Sequence, residues 1–104
     1  MSMTMMIAKI DESTDFSDPL FSNPPELGKP SELRRKVIEK VGKDVRIERR
    51  DSIEIHFDSF AVTLWFNSNR IDLEVAGGAD ERIEYLDKLA KHLDPEANLI
   101  FCDG

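Results

Sequence analysis

The chain has 104 residues, 34% of them charged, and a formal net charge of -7. This length suits one small domain with a modest core, and no apolar run approaches the length that spans a membrane. Cys102 is the single cysteine, so an internal disulfide is excluded. Because the first residues also lack the basic and long apolar regions of a signal peptide, we expect a cytoplasmic protein with no membrane partner.

The charge is unevenly distributed along the chain. Residues 31–50 hold eight basic and four acidic side chains, whereas residues 51–104 hold four basic and twelve acidic ones. Overall acidity argues against general nucleic-acid binding, because phosphate contacts need a cationic surface. The basic block lacks interleaved aromatic residues for base stacking. We therefore expect a solvated helix face there and no nucleic-acid partner.

The first thirty residues predict an irregular N-terminal arm, partly disordered on one interpretation, ahead of a single α+β domain over 31–104. Residues 1–10 are compatible with a short strand or a frayed end. Residues 11–30 contain four prolines, which remove backbone donors and restrict their neighbours. The apolar side chains of this stretch are Phe16, Leu20, Phe21 and Leu27. They favour an arm packed over the open side of the core, and a disordered peptide that docks on a partner is the alternative.

Two helices are predicted. The first covers 32–41, with Ser31 as its N-cap and Gly42 just beyond its end. The second covers 80–92 and ends before an Asp-Pro pair. Each has one apolar stripe and one charged side, which is typical of a helix packed on a core.

Between the helices, four short segments alternate apolar and polar residues. They are VRIER (45–49), SIEIHF (52–57), AVTLWF (61–66) and RIDLEVA (70–76). This period predicts strands that are buried on one side only. Two-residue turns at 59–60 and 68–69, and an odd loop at 50–52, join them into an antiparallel meander. The predicted pairs include Phe66 with Ile71, Ile55 with Leu64, and Ile47 with Ile55.

These elements predict an α+β two-layer sandwich in the order α-β-β-β-β-α-β. Both helices should cover the apolar face of the sheet. The segment 97–102 is the fifth strand. The second helix makes a crossover, so this strand should run parallel to the 70–76 strand. The sequence leaves open which edge of the meander it joins.

The predicted register also assigns the outward face of the sheet. One row across the strands is Glu48, Glu54, Trp65 and Asp72, and the next is Arg46, His56, Thr63 and Glu74. Two features are unusual for a merely solvated face. Glu48 and Glu54 would be like-charged cross-strand neighbours, which is destabilising, and the single tryptophan would lie on the exposed side. Tryptophan is enriched among residues that dominate binding energy at interfaces.

The outward face therefore predicts a small acidic protein-binding module. Its partner would be a basic protein, as for an inhibitor or an immunity-type protein that neutralises a toxin or nuclease. The candidate partner-binding residues are Trp65, Glu54, Asp72, Glu48, Glu74, Thr63 and His56. A plain solvated face, covered in part by the arm, is the simpler interpretation. Pairing of two copies through this face, as a homodimer without catalytic activity, is a further alternative.

Catalytic chemistry is a weaker prediction. Glu54, His56 and Asp58 share one side of a strand, and with Glu74 they could hold a divalent metal in a small metal-dependent enzyme. Alternation alone places any three such residues on one side, so the spacing is weak evidence. No histidine is placed beside Cys102 or a particular serine by any sequence feature. We predict no catalytic residue, no resident metal and no cofactor.

Overall fold

The computed structural model describes residues 2–11, 13–15, 17–43, 46–77 and 80–101, with the backbone alone for Ser2 and for 80–82. These residues form six strands and three helices, which confirms the α+β prediction. The strands are β1 (Ser2–Ala8), β2 (Arg46–Glu48), β3 (Ser52–His56), β4 (Phe60–Phe66), β5 (Ile71–Gly77) and β6 (Asn98–Phe101). The helices are α1 (Pro19–Ser22), α2 (Pro30–Lys40) and α3 (Asp80–Leu93). Phe16 and Cys102 lie outside the described residues.

The described strands form one sheet in the order β2-β3-β4-β5-β1-β6, and every neighbouring pair is antiparallel. β6 therefore runs in the same direction as β5, as the crossover through α3 predicted. It does not join the meander, however, because β1 lies between the two strands. Residues 2–8 are thus not part of an irregular arm but form an internal strand, the alternative that the sequence left open for residues 1–10.

β1 escapes the alternating pattern because both of its faces are covered. Met5 and Ile7 point into the main core, and both are fully buried. Met6 and Ala8 point the other way and are also buried, in a second, smaller apolar cluster. A strand buried on both sides appears in sequence as a nearly continuous apolar run, not as an alternation.

The main core lies between one face of the sheet and the helices α2 and α3, as predicted. The helices contribute Leu33, Val37, Leu86, Leu89, Ala90 and Leu93. The sheet contributes Met5, Ile7, Ile53, Ile55, Phe60, Val62, Leu64, Ile71, Leu73, Val75 and Leu99. The longest described helix, α3, has 14 residues, and none in the described part of the chain combines the length and apolar character that crossing a membrane requires.

The N-terminal end of α2 differs from the prediction. The helix begins at Pro30 and its N-cap residue is Lys29, so Ser31 lies inside the helix. Proline suits the first helical position, where its missing N–H group would have no intrahelical partner. At the other end, Val41 is the cap and its N–H group donates to the Val37 carbonyl.

The register of the meander is right at one hairpin and shifted by two residues at the next. Phe66 lies opposite Ile71 as predicted, whereas Ile55 lies opposite Val62 and not opposite Leu64. The reason is Phe60, which is only 7% exposed and belongs to β4 instead of the turn. Its ring stacks on Phe57 with centroids 4.6 Å apart. A shift of two keeps every side chain on its predicted face but changes its neighbours.

β2 is shifted by one residue, which exchanges its two faces. Ile47 lies opposite Glu54, and Arg46 lies opposite Ile55. The Arg46 guanidinium reaches the end of α2, where Nη1 donates to the carbonyl oxygens of Ile38 at 3.1 Å and Val41 at 2.7 Å. These carbonyls have no intrahelical partner, so an inward arginine satisfies them. The predicted pairing of Ile47 with Ile55 is therefore wrong.

Candidate functional site

The outward side of β3, β4 and β5 is the part of the sheet that none of the described helices covers. We call it the open face. Its side chains belong to Ser52, Glu54, His56, Ala61, Thr63, Trp65, Asp72, Glu74 and Ala76, and Ile47 of β2 joins them. Six of the seven predicted partner-binding residues lie on it. The exception is Glu48.

Glu48 leaves the open face because β2 is shifted by one residue. It lies opposite the buried Ile53, on the helix side of the sheet, and its carboxylate pairs with Arg46 Nε at 3.1 Å. The like-charged contact predicted between Glu48 and Glu54 does not form, since Ile47 and Thr63 are the direct neighbours of Glu54. Ile47 thus replaces Glu48 in the candidate site.

Thr63 lies at the centre of the open face. It is opposite Glu54 on one side and opposite Glu74 on the other. Because neighbouring strands are about 4.8 Å apart, the two carboxylate-bearing positions are separated by about 10 Å. The centre of the open face thus has a short polar side chain between two acidic ones.

Two large apolar side chains border this row. Trp65 is 38% exposed and lies directly opposite Asp72. Ile47 is 44% exposed and lies directly opposite Glu54. Both sit beside carboxylates, so the open face combines apolar contact area with negative charge. Interfaces commonly place aromatic anchors within a polar rim in this way.

Glu54 is held by two neighbours. Arg49 Nε lies 3.0 Å from its Oε1, and His56 Nε2 lies 3.2 Å from its Oε2. The hydrogen bond from Arg49, and then the one from His56, keep the pKa of Glu54 below its ordinary value. Glu54 is therefore a fixed negative charge with its orientation set by two donors.

The other two carboxylates differ in their pairing. Asp72 accepts from Asn67 Nδ2 at 3.2 Å and pairs with Arg70 Nε at 3.3 Å. Glu74 is exposed and forms no ion pair with any of the described residues. Exposed ion pairs are weak and exchange partners easily, so Asp72 remains available to an incoming cation. Glu74 is available without any exchange.

The metal hypothesis gains no geometric support from the strand that suggested it. β3 ends at His56, and Asp58 lies in the tight turn closed by the Phe57 N–H group and the Phe60 carbonyl at 2.8 Å. The alternation that would align Asp58 with Glu54 and His56 therefore stops before Asp58. No group of three His, Cys, Asp or Glu side chains among the described residues could hold a metal ion.

Much of the basic block at 31–50 serves internal contacts. Arg34 donates to the carbonyl oxygens of Arg49 and Ser52, which ties α2 to the β2–β3 loop. Lys36 Nζ donates to the Leu93 carbonyl at the end of α3, at 3.1 Å. These positions suit cations because they face backbone carbonyl oxygens, in the case of Lys36 at the negative end of a helix. Together with Arg46, these contacts give three of the eight basic residues in this block a structural role.

The N-terminal arm, which in the structure comprises residues 9–29, packs on the outward side of β1 and β6 at Met6, Ala8 and Ile100. Phe21 of α1 packs against the second apolar cluster, formed by Met6, Ala8, Ile10 and Ile100. Further along the arm, Leu27 enters the main core. Leu27 therefore packs in the core as predicted for the arm, whereas Phe21 packs on the separate cluster on the other face of the sheet and Leu20 is 40% exposed.

The sequence did not predict that Ile47 lies on the open face, nor that the arm packs on the outward side of the neighbouring strand β1. A signal for the arm was present, because the apolar run at 5–8 has apolar residues on both faces of a strand. Ile47 gave no comparable signal.

No protein-family model, curated protein or solved structure matches this chain.

Proposed function

We propose that this chain is a small protein-binding module whose open face docks a basic protein partner. The observation that supports this proposal best is Trp65, an exposed tryptophan on an uncovered sheet face, with Asp72 directly opposite and the Glu54–Thr63–Glu74 row beside it. Desolvated tryptophans dominate binding energy at many interfaces. The surrounding carboxylates select a cationic partner.

The net charge of -7 supports the same partner class. Long-range attraction between an acidic module and a basic protein accelerates encounter, and it weakens as salt screens it. Rapid capture of a harmful basic enzyme is the task of small inhibitors and immunity-type proteins. We propose that role for this chain, acting by occlusion and without chemistry of its own, in the cytoplasm, where its one cysteine would stay reduced.

The test compares three baits in a pull-down from native lysate: wild type, Trp65→Ala and Phe101→Ala. Phe101 is 41% exposed, close to the 38% of Trp65, and its strand lies three places from β4 in the sheet. It therefore controls for non-specific apolar contact. We expect a basic protein that wild type and Phe101→Ala retain and Trp65→Ala loses. The purified pair should then bind more weakly as salt rises.

Equal retention by Trp65→Ala would contradict the proposal, and so would a retained partner that is acidic. Loss in both variants would mean that any exposed ring contributes. In each of these cases the open face is not the specific docking site.

Self-association through the open face is a second candidate, and Ile47 favours it. Ile47 and Trp65 place two large exposed apolar side chains on one face, and facing copies of such a surface can bury them. Light scattering on wild type and Ile47→Lys separates the candidates. A dimer that Ile47→Lys dissociates would support self-association. A monomer in both supports the docking of a different protein.

A further inference from the structure

The N-terminal arm forms one border of the open face. Phe21 packs against the apolar cluster that includes Met6 of β1. Met6 lies opposite Asp72, and Asp72 lies opposite Trp65. Two strand spacings therefore separate Met6 from Trp65, a distance of about 10 Å. Since Phe21 packs on the outward side of β1 and β6, this part of the arm lies beside the open face.

The arm is strongly acidic. Residues 10–28 contain no lysine and no arginine, and their five acidic residues are Asp11, Glu12, Asp15, Asp18 and Glu26. The cation just before this stretch, Lys9, is turned to Asp94 at 3.5 Å and Glu96 at 3.7 Å. On the open face, by contrast, Glu54 and Asp72 are paired with arginines. Asp11, Asp15 and Asp18 form no ion pair with any of the described residues, so the arm adds three unpaired carboxylates to the unpaired Glu74 of the open face.

Three of these carboxylates lie at the surface and are oriented by short local hydrogen bonds. Asp11 accepts from the Ser13 N–H group at 2.9 Å, Asp15 from the Ser17 N–H group at 3.0 Å, and Asp18 caps α1 through Leu20 N at 3.0 Å. Hydrogen bonds from Ser13 and Ser17 lower the pKa values of Asp11 and Asp15. These side chains are thus held in place while each keeps oxygen lone pairs for an external donor.

We propose that the arm and the open face together form one docking surface for an extended, arginine-rich segment of the partner. Guanidinium groups would stack on Trp65 and bind the carboxylates of Asp15 and Asp18, and the exposed Leu20 would contact their aliphatic stems. Arginine fits better than lysine because its planar fork binds carboxylates at two points and stacks on rings. This inference rests on the proposed function and adds the partner's segment chemistry and the arm's part in binding.

The probe is a nona-arginine peptide, with nona-glutamate as the control peptide. Binding to the full chain is measured by calorimetry. Because Trp65 is the single tryptophan and the peptides are not aromatic, its fluorescence reports contact at the open face. Wild type should bind nona-arginine with a change in Trp65 fluorescence and should ignore nona-glutamate.

The affinity for nona-arginine is compared between two triple variants that change the net charge equally. Asp11→Asn/Asp15→Asn/Asp18→Asn removes three arm charges but keeps each acceptor oxygen, so turns and cap persist. The matched control carries Glu32→Gln, Glu39→Gln and Glu84→Gln, three exposed positions on α2 and α3. We expect the arm variant to bind about tenfold more weakly and the control to bind nearly as wild type does.

The outcomes separate the two proposals. Equal affinities of wild type and the arm variant, or equal losses in the two triple variants, would overturn the arm's role. If Trp65→Ala still weakens binding in that case, the open face remains the docking site. Unchanged affinity in Trp65→Ala, or no binding of nona-arginine by wild type, would overturn both. Circular dichroism checks that each variant is folded.

Discussion

Ile47 lies directly opposite Glu54 on the open face, so an isoleucine that is 44% exposed borders the best-anchored carboxylate of the sheet. This placement is a consequence of Arg46, which faces inward at the end of α2. Leaving buried helix carbonyls without a donor costs about 1–3 kcal/mol per group. Exposing roughly half of an isoleucine costs about 1 kcal/mol, so the register that serves Arg46 is favoured.

The register of β2 can be tested at Ile47 itself. Replacing Ile47 by Ala should lower the free energy of unfolding by about 1 kcal/mol or less, because the side chain is exposed. Ile55→Ala is the matched control, since Ile55 is fully buried and its truncation should cost about 2–5 kcal/mol. Urea denaturation measures both. Comparable losses would mean that Ile47 points into the core.

Arg46 provides the complementary prediction. Arg46→Met keeps an apolar stem but removes the donors to Ile38 and Val41, and it should lower the free energy of unfolding by about 1–3 kcal/mol. Arg50→Met, at an exposed position in the β2–β3 loop, should leave stability within about 0.5 kcal/mol of wild type. Thermal and urea unfolding would reveal the difference. Equal effects would mean that the hydrogen bonds of Arg46 do not set the register of β2.

Ile47 and Arg46 also show which part of the sheet could not be predicted from the sequence. Alternation assigned β4 and β5 correctly, because each has one buried face and a short turn between Phe66 and Ile71. In β2, however, Arg46 and Glu48 flank Ile47, and the apolar pattern alone places the isoleucine inside. The decisive contacts are hydrogen bonds to helix carbonyls eight and five residues earlier, which no local period encodes.

The predictions for β1 and for Phe60 were incorrect for different reasons. The strand at 2–8 has apolar residues on both faces, since the arm covers its second side, and such a run carries no period. Phe60 follows Asp58 and Ser59, which favour turns, so a turn ending at Phe60 looked reasonable. Ring stacking on Phe57 and the edge contact of Phe57 with Tyr85 at 4.9 Å draw Phe60 into the strand instead. Assigning side chains of β3 and β4 to the open face requires only the side of the sheet to which each residue points. A shift of two residues in the pairing of these strands leaves that side unchanged.

The tight turn before Phe60 leads to a prediction at Gly77. Gly77 has φ of 76°, and a Cβ atom there would lie 2.9 Å from the backbone oxygen of Ser59. Gly77→Ala should therefore cost more than about 1 kcal/mol in the free energy of unfolding, from backbone strain and from this contact. Gly42→Ala is the matched control, because a Cβ there meets nothing within 4 Å. Urea unfolding should leave Gly42→Ala near wild type, and a similar loss at both glycines would mean that neither the backbone conformation nor the contact with Ser59 requires glycine at position 77.

Glu54 connects the open face to pH. Arg49 and, to a smaller degree, His56 lower its pKa in the folded state. A group with a lowered folded-state pKa stabilises the fold above the unfolded-state value, about 4.3 for a glutamate, and this contribution is lost as the pH falls through the lowered pKa. Arg49→Gln should therefore raise the pKa of Glu54 toward its ordinary value. It should also make stability less sensitive to acid.

Carboxyl-carbon NMR titration of Glu54 measures this shift in wild type and in three variants. Arg49→Gln should give the largest upward change in the pKa of Glu54, and His56→Gln a smaller one, because its hydrogen bond is the second cause. Arg50→Gln removes the same charge one residue away and should leave the pKa of Glu54 nearly unchanged, since Arg49 is the arginine that pairs with this carboxylate. Equal shifts in the two arginine variants would attribute the lowered pKa to general surface charge. The Arg49–Glu54 pair would then not be what orients the carboxylate on the open face.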